Sequence, residues 1–145
     1  MVFDSLVDWA GSGDSTIRYY SGKVVYSSSF RLEKASQPLY LDLGMVGVMA
    51  KVRVNGVYAG GVWTAPYRVD ISQVVKKGVN SVEVEVVNTW VNRLIGDSRL
   101  PEKDRRTWMN YNPYRPDSQL LSSGLLGPVR VVAGEADADK DDDKK

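Results

Sequence analysis

The strongest constraint on the fold is alternation. Through most of the chain apolar and polar residues change places at every step, a period of two that sends the two sets to opposite faces of a strand. In residues 24–33, Val24, Tyr26, Phe30 and Leu32 face one way, while Ser27, Ser29, Arg31 and Glu33 face the other. Leu39, Leu41 and Leu43 alternate with Tyr40 and Asp42. Val48, Ala50, Val52 and Val54 then alternate with Lys51 and Arg53 as far as Asn55-Gly56. That dipeptide tolerates positive φ at both centres of a two-residue turn and predicts a hairpin with its second strand from Val57 onward. Tyr67, Val69 and Ile71 oppose Arg68 and Asp70, and Val82, Val84 and Val86 oppose Ser81, Glu83 and Glu85. A last strand over 129–132 follows Gly127-Pro128. No 11-residue window keeps a helical apolar stripe. Half-buried strands joined by short Gly and Asn turns predict an all-β fold, an antiparallel β-sandwich of the jelly-roll kind.

The chain has 145 residues, a length that suits one domain with one core. Two segments are predicted: a β-sandwich over 1–133 and a disordered tail or tag over 134–145. The tail, GEADADKDDDKK, holds no large apolar residue that could join a core. Asp137, Asp139 and Asp141 share the spacing of a calcium loop, but Asp142 stands where such a loop turns on glycine, and no twelfth-position Glu follows. Of the 19 Lys and Arg and the 18 Asp and Glu, three and six lie in the tail, which leaves the rest at +4. That is too weak and too dispersed to argue for nucleic acid. No apolar run approaches the roughly 20 residues of a membrane span.

The chain has neither cysteine nor histidine. Disulfides, thiolate chemistry, Ser-His and Cys-His nucleophile pairs and the commonest zinc ligand are therefore excluded. No cofactor is expected, and no cluster of acidic ligands marks a structural calcium site. Residues 1–8 lack the basic and long apolar regions of a signal peptide, so Met1 is either a native start or an addition to an excised domain, and excision is the expectation.

One segment breaks the alternation. Residues 89–127 run on with little periodicity and carry Trp90, Trp108, Tyr111 and Tyr114 with Pro101, Pro113 and Pro116. A connection this long in a compact domain is usually functional or disordered, and its aromatics argue against disorder.

The pieces Tyr20-Ser21-Gly22, Leu41-Asp42-Leu43-Gly44, Val52-Arg53-Val54-Asn55-Gly56, Pro66-Tyr67 and Gly78-Val79-Asn80 resemble, in order and spacing, the sugar-binding jelly-roll domain of glycoside hydrolase family 2. The continuation Asn88-Thr89-Trp90-Val91-Asn92-Arg93-Leu94-Ile95-Gly96-Asp97, ending in Ser123-Gly124-Leu125-Leu126-Gly127-Pro128-Val129, is more narrowly similar to the C-terminal domain of family 106 α-L-rhamnosidase-like enzymes. The resemblance covers residues 15–132. It implies a galactose-binding-like sandwich beside a catalytic domain, secreted or periplasmic as part of a bacterial enzyme. Such a sandwich either binds carbohydrate or braces the catalytic domain.

Sugar recognition needs an aromatic face for the C–H side of a pyranose and directional hydrogen bonds to its hydroxyls. Trp108, Asn110 and Tyr111 supply both within a few positions. Trp63 follows Gly60-Gly61 in a stretch whose face is undetermined, and Asn92, Arg93 and Asp97 form the local motif NRLIGD. These seven are the candidate ligand-binding residues. Four of them have a structural alternative: Trp108 as a lid over a sheet edge, Trp63 as a packing residue, and Arg93 with Asp97 as a bidentate bridge that fixes the loop. Trp90 continues the face of Val82, Val84 and Val86 and is expected to plug the end of the core, while Trp9 covers a sheet edge. Glycoside hydrolysis needs two carboxyl groups at a set separation, and the loop offers only Asp97, Glu102 and Asp104, set among arginines that hold carboxyls ionised. No catalytic residue is therefore assigned. The leading function is a carbohydrate-binding module of a multidomain glycoside hydrolase; the alternatives are a brace for the catalytic domain and a small enzyme.

Overall fold

A computed structural model describes residues 5–35 and 38–134, and the acidic tail with its calcium-like spacing lies outside them. Nine strands form among the described residues: β1 (Gly22–Leu32), β2 (Leu39–Asp42), β3 (Met45–Val46), β4 (Met49–Val54), β5 (Val57–Val62), β6 (Arg68–Asp70), β7 (Gly78–Asn88), β8 (Leu125–Gly127) and β9 (Arg130–Ala133). All strand pairings are antiparallel, in a four-stranded sheet β1-β7-β4-β5, a three-stranded sheet β6-β2-β9 and a ribbon β3-β8. The fold is the expected all-β sandwich.

Alternation sets the core. Leu41 and Leu43 from the smaller sheet meet Val52, Val54, Val84 and Val86 from the larger, while Lys51, Arg53, Glu83 and Glu85 line the outer face. The hairpin after β4 turns at Asn55 (φ 53°) and Gly56 (φ 79°), with Val54 opposite Val57, as the Asn-Gly pair predicts. Asn55 Nδ2 also donates to Asn80 Oδ1 at 2.8 Å and to the Val74 carbonyl at 2.9 Å, so the buried Asn80 joins this turn to the one leading into β7.

The sandwich is not closed equally on its two sides. β5 packs beside β6 at one margin. At the other margin β1 and β9 gape, leaving a groove of about 1100 Å³. Consequently Val24, Tyr26, Phe30 and Leu32, on the inner face of β1, are only half-buried, whereas Val82, Val84 and Val86 on the neighbouring β7 are buried.

Among the described residues two α-helices accompany the strands, α1 (Ser15–Arg18) and α2 (Val91–Ser98), with short 3-10 turns at Trp9–Gly11 and Glu102–Asp104. Alternation had extended the β7 face to Trp90. Instead β7 ends at Asn88, and Trp90 is the N-cap residue of α2, 62% exposed, so it plugs no core. The turn into the helix resets the side-chain direction, and strand parity does not survive it. Trp9 is buried on β1, stacked on Tyr26 at 6.1 Å between centroids and edge-on to Tyr20 at 5.8 Å.

Candidate functional site

Residues 89–124 are held by a small helix whose buried side is mostly polar or small. In α2 the buried residues are Asn92, Leu94, Ile95, Gly96 and Asp97. Asn92 acts as a backbone mimic: its Nδ2 donates to the Leu121 carbonyl at 2.7 Å and its Oδ1 accepts from the Leu121 N–H at 2.8 Å. Asn112 Nδ2 donates to the Leu94 carbonyl at 3.0 Å, and its Oδ1 accepts from the Tyr114 N–H. Asp97 Oδ2 accepts from the Thr107 N–H at 2.8 Å and from the Thr107 hydroxyl.

Arg93 lies one turn from Asp97, with Nη1 3.5 Å from Oδ1, an oxygen that accepts no hydrogen bond. The pair is thus a single charge contact rather than the bidentate bridge expected from sequence. Burial pushes the Asp97 carboxyl up. Hydrogen bonds from the Thr107 hydroxyl and N–H, with the nearby Arg106 N–H dipole and the Arg93 charge, outweigh burial and hold it below the ordinary carboxylate range. A carboxyl held ionised in this way is unsuited to donate a proton to a leaving group.

Gly96 is required where α2 meets α1's C-terminal end. A Cβ there would stand 2.6 Å from Tyr19 Cγ and 2.9 Å from Tyr19 Cβ, and Arg99 lies over the other part of the same ring, 5.7 Å from its centroid. Gly96→Ala is expected to lower stability by about 1–2 kcal/mol, because overpacking against a fixed ring exceeds the gain in helix propensity. The check is a thermal melt of Gly96→Ala alone and with Tyr19→Ala, where the penalty of the glycine substitution should shrink, the contact with the Cβ at position 19 alone remaining.

These bonds separate the seven candidate residues into two groups. Asn92 and Asp97, the latter 1% exposed, are buried with their side chains bonded to the loop, and Arg93 faces Asp97. The polar groups of the NRLIGD motif face inward because the loop backbone they satisfy lies there, in keeping with the structural alternative for Arg93 and Asp97. Trp63, Trp108, Asn110 and Tyr111 point outward; Trp108 is 84% and Tyr111 76% exposed, so Trp108 is no lid. Trp63 follows β5, and no aromatic or hydrogen-bond contact among the described residues joins it to Trp108 or Tyr111. The stapled loop therefore presents Trp108, Met109, Tyr111 and Leu121 to solvent on a fixed backbone.

The far end of the loop is pinned by contacts that strand patterning did not reveal. The Ser123 N–H donates to Asp8 Oδ1 at 3.0 Å, the Gly124 N–H to Asn88 Oδ1 at 3.0 Å, and the Leu125 N–H to the Tyr26 hydroxyl at 3.0 Å. Gly124 has φ +90°, and a Cβ there would stand 2.8 Å from the Tyr26 hydroxyl, so the Ser123-Gly124 pair was the available signal. Among the described residues no group of three acidic side chains is placed to hold a metal ion.

Comparison with known proteins supplies the context of this loop. No family model matches the chain. A protein of Formosa agariphila, provisionally named a beta-glucuronidase, is 39% identical over 89% of this chain, which spans 13% of that protein. The rhamnosidase from Novosphingobium sp. PP1Y superposes with a TM-score of 0.81 at 46% identity, over 87% of this chain and 12% of that one. A β-glucuronidase from Ruminococcus gnavus matches 56% of this chain with a TM-score of 0.50 at 28% identity. The chain corresponds to one domain within larger glycoside hydrolases. It spans about one eighth of the length of those first two relatives. No helix among the described residues is long and apolar enough to cross a membrane.

Proposed function

We propose that this domain is a non-catalytic brace of a secreted or periplasmic bacterial glycoside hydrolase of the family 2 and family 106 kind, docked on the catalytic part through the stapled 89–124 loop. The domain runs to residue 133 in this reading, with the acidic tail outside it. The observation that carries the proposal is the display of Trp108, Met109, Tyr111 and Leu121, four exposed apolar side chains on a loop anchored by Asn92, Asp97 and Asn112. Exposed aromatic and methionine side chains held on a fixed backbone have the composition of an interface centre, where a few such residues carry most of the binding energy. The groove between β1 and β9 is not lined by these residues, which stand in solvent instead.

A carbohydrate-binding role is the second reading, favoured by Asn110 standing between Trp108 and Tyr111 on the same exposed strip. The two readings differ in where Trp108 matters. In the docking reading, Trp108→Ala leaves the melting temperature of the isolated chain unchanged and weakens attachment of the domain within the full-length enzyme by about 2 kcal/mol or more. Limited proteolysis of the full-length enzyme measures that loss. In the carbohydrate reading, the isolated chain is retained on rhamnose-, galactose- or glucose-containing polysaccharide, and Trp108→Ala reduces retention by roughly 1–3 kcal/mol, the scale of stacking on an aromatic ring. Retention of the isolated chain on one of these gels, lost in Trp108→Ala, would overturn the brace.

A further inference from the structure

The outer face of the larger sheet carries a cleft to which residues 89–124 contribute nothing. All four strands line it: Lys23 comes from β1, Glu83 and Glu85 from β7, Lys51 and Arg53 from β4, and Tyr58 from β5. Its volume of about 270 Å³ lies just below the roughly 300–1,000 Å³ of ordinary small-molecule sites, so it takes one unit of a larger ligand.

Tyr58 reaches this face only because β5 is bulged. Ala50 stands opposite Val62, Lys51 opposite Gly61 and Val52 opposite Gly60, so an unbroken count would place Ala59 opposite Arg53 and turn Tyr58 inward. The register shifts between Val52 and Arg53, and Tyr58 itself stands opposite Arg53. One extra residue thus re-aims an aromatic ring to the outer face, where it is 54% exposed. A Cβ at Gly61 would stand 3.2 Å from the Tyr58 hydroxyl, so the phenol lies along the strand over the glycine. The charged groups beside it keep hydrogen-bonding capacity. Glu85 Oε1 lies 3.8 Å from Lys23 Nζ and 4.0 Å from Lys51 Nζ, both longer than a hydrogen bond. Glu83 stands opposite Arg53 yet forms no ion pair with it among the described residues, and the guanidinium lies instead 6.0 Å from the centre of the Tyr58 ring. A cross-strand charge ladder accounts for the alternating signs but not for the bulge that adds the ring.

Carboxylates that accept, ammonium and guanidinium groups that donate, and an aromatic ring beside them are the contacts that sugar hydroxyls and C–H faces require. Lys23, Lys51 and Arg53 set against Glu83 and Glu85 leave the cleft with one excess positive charge, which favours a ligand that brings a negative one. We infer that this face binds one unit of an acidic oligosaccharide, a sugar that carries a carboxylate. Tyr58 receives the C–H face of the ring, Glu83 and Glu85 accept from its hydroxyls, and Lys51 with Arg53 holds the carboxylate. The inference rests on the chain being one domain of a larger glycoside hydrolase, and on neither reading of the 89–124 loop.

The test titrates trigalacturonate, neutral galactotriose and triglutamate separately into the isotopically labelled full chain. Trigalacturonate should shift the Lys51, Arg53 and Tyr58 amides and bind about tenfold more tightly than the neutral trisaccharide, the scale of one charge-assisted hydrogen bond. Tyr58→Ala removes the ring and Lys51→Gln removes a charge, both at exposed side chains, so each should lower affinity about tenfold and leave the melting temperature little changed. Trp108→Ala should bind as the parent does, which separates this site from a sugar strip on the 89–124 loop. The inference is overturned if trigalacturonate does not bind, if galactotriose binds as tightly, or if the shifted amides lie in residues 89–124. It is equally overturned if either cleft variant keeps the parent affinity, or if triglutamate matches trigalacturonate, which would make the face a general anion surface. Because the loop takes no part in this titration, its failure is a separate result from failure of the docking reading.

Discussion

Val86→Asp leaves the chain unfolded at room temperature. Val86 is fully buried near the C-terminal end of β7, flanked by β1 and β4, with Val24 and Ala50 as its cross-strand neighbours. A carboxylate there loses its hydration without gaining a partner, a cost of about 4 kcal/mol or more that consumes most of the stability of a typical domain. Glu83→Gln, three positions earlier on the outward face opposite Arg53, changes stability by less than about 0.5 kcal/mol. Urea denaturation of the two variants measures the contrast. Equal losses would place β7 in the wrong register, since a slip of one residue exchanges its faces.

Asp97→Ala releases the long loop. It strands the Arg93 guanidinium, whose side chain is 11% exposed, with no counter-charge, and it frees the N–H and hydroxyl of Thr107. Removing one member of a buried pair costs about 3–5 kcal/mol. The sandwich retains its own core, so the expected result is a weakened domain with a loosened loop. Trypsin should cut rapidly after the exposed Arg105 or Arg106, and the Thr107 and Leu121 amides should lose protection. Unchanged cleavage would mean that Asn92 and Asn112 suffice to hold the loop.

The same carboxyl gives the loop an acid limit. Its folded pKa lies below that of the unfolded chain, so its contribution is complete above the ordinary carboxylate value of about 3.9 and is lost as pH falls through the lower folded value. Wild type should therefore exceed Asp97→Asn in stability at neutral pH and lose that advantage in acid. Asp42, held low by the Gly44 N–H and Arg68, and Asp70, held low by Ser72, add acid sensitivity that both proteins share.

What was legible follows from which interactions are local. The inward set Leu41, Leu43, Val52, Val54, Val84 and Val86 could be read from alternation because a strand's pleat fixes side-chain direction residue by residue. The Asn55-Gly56 turn could be read because its φ angles demand those residue types. Helix α2 could not. At eight residues it is too short for an apolar stripe to establish itself, and its buried side includes Asn92, Gly96 and Asp97, chosen to satisfy a distant backbone and to admit the Tyr19 ring. The motif NRLIGD was conspicuous as a sequence, yet its residues serve contacts 10 to 29 positions away, which no local pattern encodes.

By itself the sequence determined the all-β class, the faces of most strands, the main hairpin and the absence of thiol and imidazole chemistry. These depend on backbone periodicity and on which functional groups exist at all. Only the tertiary structure decided that Asn92 and Asp97 face inward while Trp108 and Tyr111 face solvent, and that the sandwich stands open between β1 and β9. Those outcomes depend on long-range packing: burial of a polar side chain is settled by whichever backbone groups come to need it, and exposure of an aromatic by whether any element lies across it.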